Sequence, residues 1–257
     1  NSAMSLFQDR KGFVWIGSEG GLSRYDGYST KNYKYDARNP NSLSGNTVLA
    51  ILEDEQGFIW IGTTNGLSRY DHKTDSFKRF MPSGTNSTGP RANYVNSLYI
   101  DASNTLWIGL SAGHIAKLDR ETESFTYFKY ATKQESKPQD KPIRGIVVDA
   151  NNQLWAGSDI GLWRLDERQG KLLEVKHPIS GLPIIDDKIQ NMFLDNNTLW
   201  IGSVNRLYKV NLTNLQVKSY IHDPKDEKTV SFGPIISLLK DQHGLIWAAS
   251  FGGGVSR

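Results

Sequence analysis

The five histidines of this chain are the first residues to test for catalytic or metal chemistry. They stand at positions 72, 114, 177, 222 and 243, so no two form the H-E-x-x-H pair of a zinc hydrolase. No G-x-S-x-G sequence, the nucleophile turn of serine hydrolases, occurs either. The chain has no cysteine, which excludes disulfides and thiolate ligands. The sequence therefore predicts a protein that is not an enzyme, with no metal site and no cofactor.

One aspartate recurs at regular intervals and could suggest calcium. Asp54, Asp101, Asp149, Asp195 and Asp241 each end an apolar stretch, and about three to five polar residues join each of them to the tryptophan strand. A calcium loop needs several oxygen ligands in a D-x-D-x-D-G ladder, and one carboxylate per turn is too few. We interpret these aspartates as turn residues that bond to nearby backbone groups.

The aspartates belong to a repeat that runs through the whole chain. The sequence FVWIGSEGGLSRYD at 13–26 returns as FIWIGTTNGLSRYD at 58–71. Aligned tryptophans stand at positions 15, 60, 107, 155, 200 and 247, with spacings of 45, 47, 48, 45 and 47. This period is typical of four-stranded propeller blades, although some helical repeats have similar lengths.

Strand signals favour the propeller. Each repeat has an apolar, β-branched stretch, a short polar turn such as Asp54–Gly57, the tryptophan strand, a turn of small residues, and two further short strands. Helical periodicity is absent. We predict an all-β protein, a β-propeller of four-stranded antiparallel blades whose strands are called A to D.

The repeat also predicts the domain organisation. We expect a single propeller domain over 1–257, with five complete blades and a partial sixth that lacks its outer strand. Because a missing strand leaves an open edge, we expect the chain to be a segment of a longer propeller. The predicted blades are approximately 1–35, 46–80, 93–130, 141–176, 187–221 and 233–257.

Two recurring features have a structural interpretation. The tryptophans fill the space between neighbouring blades, since both faces of a blade are buried. A small or compact residue recurs in the middle of strand A, where the blades crowd together near the axis. These positions are Ser5, Ala50, Ser97, Gly145, Asn191 and Ser237.

Composition excludes several partner classes. The net charge is +3, acidic and basic residues are interspersed, and no basic run suggests nucleic-acid binding. No stretch approaches the length of apolar sequence that spans a bilayer. Mean hydropathy is −0.48, as expected for a β-protein with a distributed core.

The repeat resembles the two-component regulator propeller family. The resemblance rests on D-x-x-G-F-I-W-I-G-T-x-x-G-L-S-R-Y-D, from Asp54 to Asp71, and on the connection YDARNPNSLSGN, from Tyr35 to Asn46. Blades three to five depart from the pattern, with Asn104, Asn152 and Asn197 near a turn where glycine is expected and Arg206 where another turn has glycine.

The resemblance implies a function. Members of this family are mostly extracytoplasmic sensor portions of bacterial transmembrane signalling proteins, and some respond to carbohydrates. They are typically seven-bladed and precede an immunoglobulin-like domain, a membrane span and a histidine kinase or diguanylate cyclase output. The resemblance therefore implies a periplasmic or extracellular ligand-sensing module of an inner-membrane protein.

Loop diversity predicts where a ligand binds. The A–B and C–D turns are nearly uniform, whereas the B–C turns and the long D–A connections differ from blade to blade. Variable loops on a rigid scaffold commonly carry recognition. We expect a sugar or another polar ligand to bind at the B–C and D–A end around the axis, with candidate contacts Asn46, Arg91, Asn93, Tyr94, His114, Arg144, Asp159, Arg206 and Phe251.

Alternatives remain at this stage. Asn1, Asn46 and Asn93 share the position at the head of strand A and could simply cap it. The outer strands Phe77–Phe80 and Phe125–Tyr130 could pair with another subunit, which would make the chain an interaction or homodimerisation platform. Propeller lyases and hydrolases draw catalytic residues from separate blades, and His114, Arg144 and Asp159 are the first candidates for that role.

Overall fold

The computed structural model describes residues 2–82, 89–131 and 141–257. In these ranges the regular secondary structure consists entirely of β-strands, and no helix is present that could cross a membrane. The chain divides into two compact units between Tyr127 and Phe128. Each unit is described by itself.

The first unit contains three four-stranded antiparallel sheets, which we call blades 1 to 3. Within each blade the strands follow in the order A, B, C, D. The strands are β1 (Ala3–Gln8), β2 (Val14–Ser18), β3 (Gly21–Tyr25), β4 (Thr30–Tyr33), β5 (Val48–Glu53), β6 (Ile59–Thr63), β7 (Gly66–Asp71), β8 (Ser76–Phe80), β9 (Val95–Ile100), β10 (Leu106–Leu110), β11 (His114–Asp119) and β12 (Ser124–Tyr130).

The second unit contains blades 4 to 6, and blade 6 has only strands A to C. The last two residues of β12, Lys129 and Tyr130, lie in this unit and pair in parallel with Lys171 and Leu172. The strands are β13 (Ile143–Val148), β14 (Leu154–Ser158), β15 (Gly161–Asp166), β16 (Lys171–Glu174), β17 (Ile189–Asp195), β18 (Thr198–Ser203), β19 (Arg206–Asn211), β20 (Val217–Ile221), β21 (Ile235–Lys240), β22 (Ile246–Ser250) and β23 (Gly254–Ser256). The predicted four-stranded antiparallel repeat is confirmed.

An aspartate joins the A–B turn to strand B in five of the six blades, and it is buried in blades 1 to 3 and half-buried in blades 4 and 6. One carboxylate oxygen accepts the indole N–H of the tryptophan six residues later, at 2.7 to 2.9 Å. The other oxygen accepts the backbone N–H four residues later, at 2.8 to 3.0 Å. Since a buried indole N–H requires an acceptor, this bond satisfies the tryptophan while it closes the turn. The pairs are Asp9 with Trp15, Asp54 with Trp60, Asp101 with Trp107, Asp149 with Trp155, and Asp241 with Trp247.

The same turn requires a residue with positive φ. Gly57 has a φ of 84°, and Asn104 and Asn152 both adopt 61° at the equivalent position. Asparagine tolerates this left-handed conformation better than other non-glycine residues. In blade 5 the positive φ falls at Asn196, at 51°, next to Asn197.

The glycine of strand B lets the next blade approach closely. A Cβ atom built on Gly62 would lie 2.7 Å from both the carbonyl oxygen and Cγ1 of Val95, in strand A of blade 3. A Cβ atom on Gly202 would lie 2.6 Å from the carbonyl oxygen of Ile235, in strand A of blade 6. Real Cβ atoms do not approach other atoms so closely, so this position requires glycine for the spacing between blades.

Strand A carries a β-bulge immediately before its small residue in every blade. The small residue then pairs with strand B, as Ala50 does with Gly62 and Gly145 with Gly157. A bulge bends its strand and redirects the extra side chain. In blade 4 the redirected residue is Arg144.

Four of the six repeat tryptophans are buried. Trp15, Trp60, Trp107 and Trp155 are at most 6% exposed. Trp200 and Trp247 are half-buried. Trp200 is also the tryptophan without the aspartate bond, because blade 5 has one residue fewer between Asp195 and its tryptophan than the other blades.

Side chains from the C–D turn of one blade contact the buried aspartate of the preceding blade. His72 of blade 2 places Nε2 3.4 Å from Asp9 of blade 1. Arg120 of blade 3 donates to Asp54 of blade 2 at 3.1 Å. In blade 5, Asp195 instead forms an ion pair with Lys240 of blade 6 at 2.7 Å. The aspartate end is therefore linked from blade 1 to blade 2, from blade 2 to blade 3, and from blade 5 to blade 6.

We predict that Asp54→Ala destabilises the protein by about 3 kcal/mol, because it leaves the buried indole N–H without its acceptor and removes the carboxylate that pairs with Arg120. Urea unfolding followed by tryptophan fluorescence measures the loss. Asp195→Ala is the matched control, since it removes only a partly exposed ion pair and should cost about 1 kcal/mol or less. Equal losses in the two variants would contradict the role assigned to the indole bond.

We also predict that stability falls on mild acidification because of His72. Burial, together with Lys11 nearby, lowers the pKa of His72 below its usual 6.5. The unfolded chain therefore binds a proton more readily than the folded chain, so the contribution is present above pH 6.5 and is lost as the pH falls below that value. Thermal unfolding between pH 7.5 and 5 should show a smaller pH dependence for His72→Gln than for the wild type. An unchanged pH dependence would show that His72 titrates freely.

Candidate functional site

The B–C turns and the starts of strand A lie at the same end of each blade. The turn residue Thr64 donates its N–H to the carbonyl of Thr47 at 3.1 Å, and Ser111 donates to Tyr94 in the same way. In the second unit Phe251 donates to Pro234 at 2.8 Å. We call this end of the blades the variable rim. Within each unit it gathers the loops of unlike sequence.

Buried hydroxyl groups hold the turns of the variable rim. Thr63 donates to the carbonyl of Gly66 and accepts the N–H of Asn65, both at 3.0 Å. Ser158 and Ser203 make similar contacts in blades 4 and 5. The turns therefore present their remaining side chains from a fixed backbone.

In the first unit the asparagines at the head of strand A play different parts. The side chain of Asn46 accepts the backbone N–H of Tyr35 at 2.8 Å, so this residue holds its own D–A connection. Asn93 is exposed, and its carbonyl accepts the N–H of Gly66 from the neighbouring blade at 2.7 Å. Asn46 therefore has a structural contact within the D–A connection. Asn1 lies outside the described residues.

Arg91 and Tyr94 are exposed candidates close to Asn93 in sequence. The guanidinium of Arg91 lies 4.4 Å from the ring centre of Tyr127, a cation–π contact. Burial raises the pKa of Tyr127. Tyr94 is 47% exposed. The fifth candidate of this unit, His114, is half-buried at the first residue of β11.

In the second unit the structure brings two predicted residues into contact. Arg144, the bulge residue of β13, donates from Nε to Oδ1 of Asp159 in the B–C turn of the same blade, at 2.6 Å. The Arg144 side chain is 36% exposed and that of Asp159 is 15% exposed. The pair therefore combines donors and acceptors at one accessible place on the variable rim.

A second polar cluster lies beside Arg206. Oδ2 of Asp187 accepts the hydroxyl of Ser203 at 2.7 Å and that of Tyr208 at 3.1 Å. Burial and the Asp187 carboxylate raise the pKa of Tyr208 to about 12, so its hydroxyl remains a donor. Arg206 itself is exposed, and its N–H donates to Ser203 at 3.0 Å. Ser203 and Tyr208 were not predicted, because only the folded turn brings them to Asp187.

Phe251 is one of two exposed aromatic residues on the variable rim of blade 6. It is 71% exposed, and Phe232, which the sequence did not single out, is 68% exposed. The backbone of Phe251 adjoins the connection that carries Phe232, since a Cβ atom on Gly233 would meet the carbonyl of Phe251. Large exposed rings at a loop end are suited to stacking against a ligand.

The D–A connection between blades 1 and 2 is held by an arginine of the outer strand. Arg79 donates from Nε to the carbonyl of Ser42 at 2.7 Å and from its terminal nitrogen to the carbonyls of Asp36 and Asn39. Its guanidinium also lies 4.9 Å from the ring centre of Tyr35. This contact was missed by sequence reasoning, because the residues involved are about forty positions apart.

We predict that Arg79→Met releases this connection and destabilises the protein by about 2 kcal/mol, because several loop carbonyls lose a charged donor. Limited proteolysis should then cut within residues 36–44 faster than in the wild type. Arg38→Met is the control, since Arg38 lies in the same connection and is exposed. Cleavage at the same rate in Arg79→Met and in the wild type would show that Arg79 does not hold the loop.

Comparison with known proteins supports the repeat assignment. The family model described as "Two component regulator propeller" matches residues 1–20 and 42–65. No curated protein sequence matches the chain.

Solved structures share the fold over nearly the whole chain. Two extracellular domains of putative hybrid two-component systems from B. thetaiotaomicron align over 98% and 99% of this chain, with TM-scores of 0.67 and 0.72 and identities of 19% and 20%. The chain spans 37% and 39% of their lengths.

An enzyme shares the fold as well. Virginiamycin B lyase from Staphylococcus aureus aligns over 98% of this chain and 78% of its own length, with a TM-score of 0.69 and 18% identity. At such identities these likenesses show the fold and not the activity. The predicted fold class is confirmed: the chain is a β-propeller protein, and its residues 1–20 and 42–65 match the two-component regulator propeller model.

Proposed function

We propose that this chain is the extracytoplasmic ligand-sensing module of a bacterial transmembrane signalling protein, and that it binds a carbohydrate or a similar polar ligand without catalysis. The family of the repeats and the fold shared with extracellular domains of two-component systems support the sensing role. The side chains of the variable rim are the only support for the ligand class.

The Arg144–Asp159 pair carries the proposal. Arginine offers donors only and a carboxylate offers acceptors only, so an adjacent pair can bond to both the oxygen and the hydrogen of neighbouring hydroxyl groups. Within residues 2–82, 89–131 and 141–257 only Nε of Arg144 is bonded to another side chain, so its terminal guanidinium nitrogens can bond to a ligand. The bulge and the turn hold the pair on backbone that needs no rearrangement, which lowers the entropic cost of binding.

Aromatic residues complete the chemistry of a sugar site in the second unit. The exposed rings of Phe232 and Phe251 offer apolar faces on the variable rim of blade 6. Sugars present hydroxyl edges and apolar C–H faces, and such sites combine a few polar groups with aromatic walls. A polar, ring-shaped ligand therefore fits this rim better than a purely ionic one.

Signalling would follow from a population shift. A ligand that prefers one arrangement of the loops changes how often the module adopts the arrangement that its partner recognises. The proposed partners are an adjacent immunoglobulin-like domain and a membrane-spanning output, with a homodimer as a further arrangement.

An interaction platform is the second candidate function. The connection at 176–183 forms a small hairpin, closed by a bridge between Lys176 and Pro183, and it exposes Ile179 at 91% and Leu182 at 66%. The outer strands named for this role from sequence fit it less well, because Phe77, Phe80, Phe125 and Tyr130 are buried. A platform would therefore use the hairpin rather than those aromatic residues.

We predict that a glycan ligand found by thermal-shift screening raises the unfolding temperature of this chain. A ligand at a free concentration one hundred times its Kd raises the free energy of unfolding of the protein by about 2.7 kcal/mol. Arg144→Gln and Asp159→Asn should each weaken that binding at least tenfold, because each removes one half of the hydroxyl-binding pair. Isothermal titration calorimetry measures the affinities, with Arg168→Gln, an exposed residue in the C–D turn of the same blade, as the matched control.

The outcomes separate the candidate functions. Unchanged affinity in Arg144→Gln and Asp159→Asn would contradict the assigned site. Binding of a protein through the 176–183 hairpin, with no glycan or peptide effect, would favour the platform. Chemical turnover of the bound ligand would contradict the non-catalytic role.

A further inference from the structure

The outer edge of strand D is occupied in blade 4 by a short additional strand. Lys129 and Tyr130 pair in parallel with Lys171 and Leu172 of β16. The N–H of Ala131 then donates to the carbonyl of Leu172 at 2.8 Å. Strand β16 is therefore not the edge of its sheet, because this segment adds a fifth strand to blade 4.

The side chain of Tyr130 covers the outer part of blade 4. It is buried, and its ring centre lies 4.4 Å from that of Trp163 in strand C. Its cross-strand partner Leu172 is fully buried. The added strand therefore supplies backbone partners and one aromatic ring to the outer edge.

Blade 2 has a single backbone bond at the equivalent place. Phe77 of β8 donates its N–H to the carbonyl of Asn41, in the connection between blades 1 and 2, at 2.9 Å. Phe77 and Leu172 correspond, because each pairs with the strand C residue that follows the one opposite the repeat tryptophan. In blades 2 and 4 the chain that precedes the blade therefore bonds to the outer edge of strand D.

The outer edge of blade 5 is open at the corresponding residue, Val217. It pairs with strand C at the same position as Phe77 and Leu172, yet it is 38% exposed. Alternation along β20 places it on the face opposite to Tyr220, which packs on the core shared by blades 5 and 6. Its exposure therefore does not depend on the blade that follows. In the described part of the chain, no residue outside β19 bonds to its backbone.

The connection that precedes blade 5 bonds to itself instead. In the hairpin at 176–183, His177 donates its N–H to the carbonyl of Leu182 at 2.8 Å. Just beyond the hairpin, Ile184 donates to the carbonyl of Val175 at 3.0 Å. Because these backbone groups satisfy each other, the connection adds no strand to β20.

A groove of about 800 Å³ lies beside β20. Leu182 and Ile184 line it from the connection, and Leu215 and Val217 line it from the C–D turn and β20. Blade 2 keeps a groove of about 610 Å³ at the same edge, lined by Phe77 among others, although the complete blade 3 follows it. A groove at this edge is therefore a property of the blade and its preceding connection.

We propose that the outer edge of β20 binds an extended segment of a partner protein as a fifth strand, parallel to β20, with one aromatic side chain over Val217. Blade 4 supplies the pattern: a backbone N–H donates to the carbonyl of Val217 as Ala131 does to Leu172, and the preceding aromatic residue takes the place of Tyr130. Strand addition of this kind draws affinity from backbone bonds and selectivity from alternate side chains. The site is independent of the ligand site proposed on the variable rim.

The direction of the added strand identifies the occupant as a different protein. A second copy joined about a twofold axis would pair β20 with itself, and the two strands would then run antiparallel. The chain's own segment of this kind, residues 129–131, is already engaged at β16. The occupant is therefore an extended segment of a separate partner.

A fluorescent peptide with the sequence of residues 127–133, YFKYATK, tests the proposal by fluorescence anisotropy against the 257-residue chain. We expect saturable binding. N-methylation of the peptide alanine should weaken it at least tenfold, because the methyl group removes the backbone donor and leaves every side chain in place. Serine at the position of Tyr130 should weaken binding to a similar extent, because the aromatic contact is lost.

A variant of the protein locates the peptide. Val217→Asp should weaken binding at least tenfold, because it places a charge in the groove, and its unfolding temperature should stay close to that of the wild type. Ile179→Asp is the matched control, since it makes the same kind of change at the exposed tip of the hairpin and should bind normally. If Val217→Asp unfolds, the N-methylated peptide on the wild-type chain still decides the question.

Four results would overturn the proposal. They are no binding at about 1 mM peptide, unchanged affinity for the N-methylated peptide, unchanged binding to a folded Val217→Asp, and equal loss in Val217→Asp and Ile179→Asp. The last result would mean that exposed apolar side chains attract the peptide without strand pairing.

Discussion

The hydrogen bond between the aspartate that ends strand A and the tryptophan indole is the interaction that organises five of the six blades. The carboxylate ends strand A, closes the A–B turn through a backbone N–H, and positions the tryptophan that fills the space beside the blade. Side chains of the next blade contact the same carboxylate: His72 lies beside Asp9, and Arg120 donates to Asp54. One side chain closes the A–B turn, positions the tryptophan and is contacted from the next blade. The sequence at this end of the blades therefore has little freedom to vary.

The opposite rim is free of this constraint. In blades 1, 2, 4 and 5 a single Ser or Thr hydroxyl group holds the B–C turn by accepting a backbone N–H. Arg144 and Asp159 differ in type from the residues at equivalent positions in neighbouring blades without altering the strand pairing. A protein that must keep its blades while changing its ligand is expected to place recognition at this end. The proposed sensing role therefore rests on the difference between the two ends of the blades: the aspartate end is constrained by structure, and the variable rim is free to carry ligand contacts.

Blade 5 shows what happens when the aspartate spacing changes. Asp195 precedes Trp200 by five residues instead of six and bonds to Lys240 of blade 6. Trp200 stays half-buried and stacks on Tyr220, with Lys209 over its face. The blade keeps its four strands, so strand pairing alone tolerates the change.

Much of the fold could be predicted from sequence because it depends on periodic, local signals. The tryptophan spacing, the Asp-to-Gly turns and the alternating strands identified the blades. The indole bond was missed although the constant spacing from Asp54 to Trp60 carries its signal. Contacts such as Arg79 with Ser42 could not be predicted, since they join residues that only the folded connection brings together. Among the candidate residues, the ionic contact of Arg144 with Asp159 required knowledge of the bulge, and the structural role of Asn46 required its backbone partner.

Hydrogen–deuterium exchange of this chain, with and without a glycan that raises its unfolding temperature, tests the central claim most directly. The account predicts slower exchange in the B–C turns and D–A connections, including the turn at Asp159, and unchanged exchange in the A–B turns at Asp54 and Asp149. Protection confined to the A–B and C–D turns would contradict it.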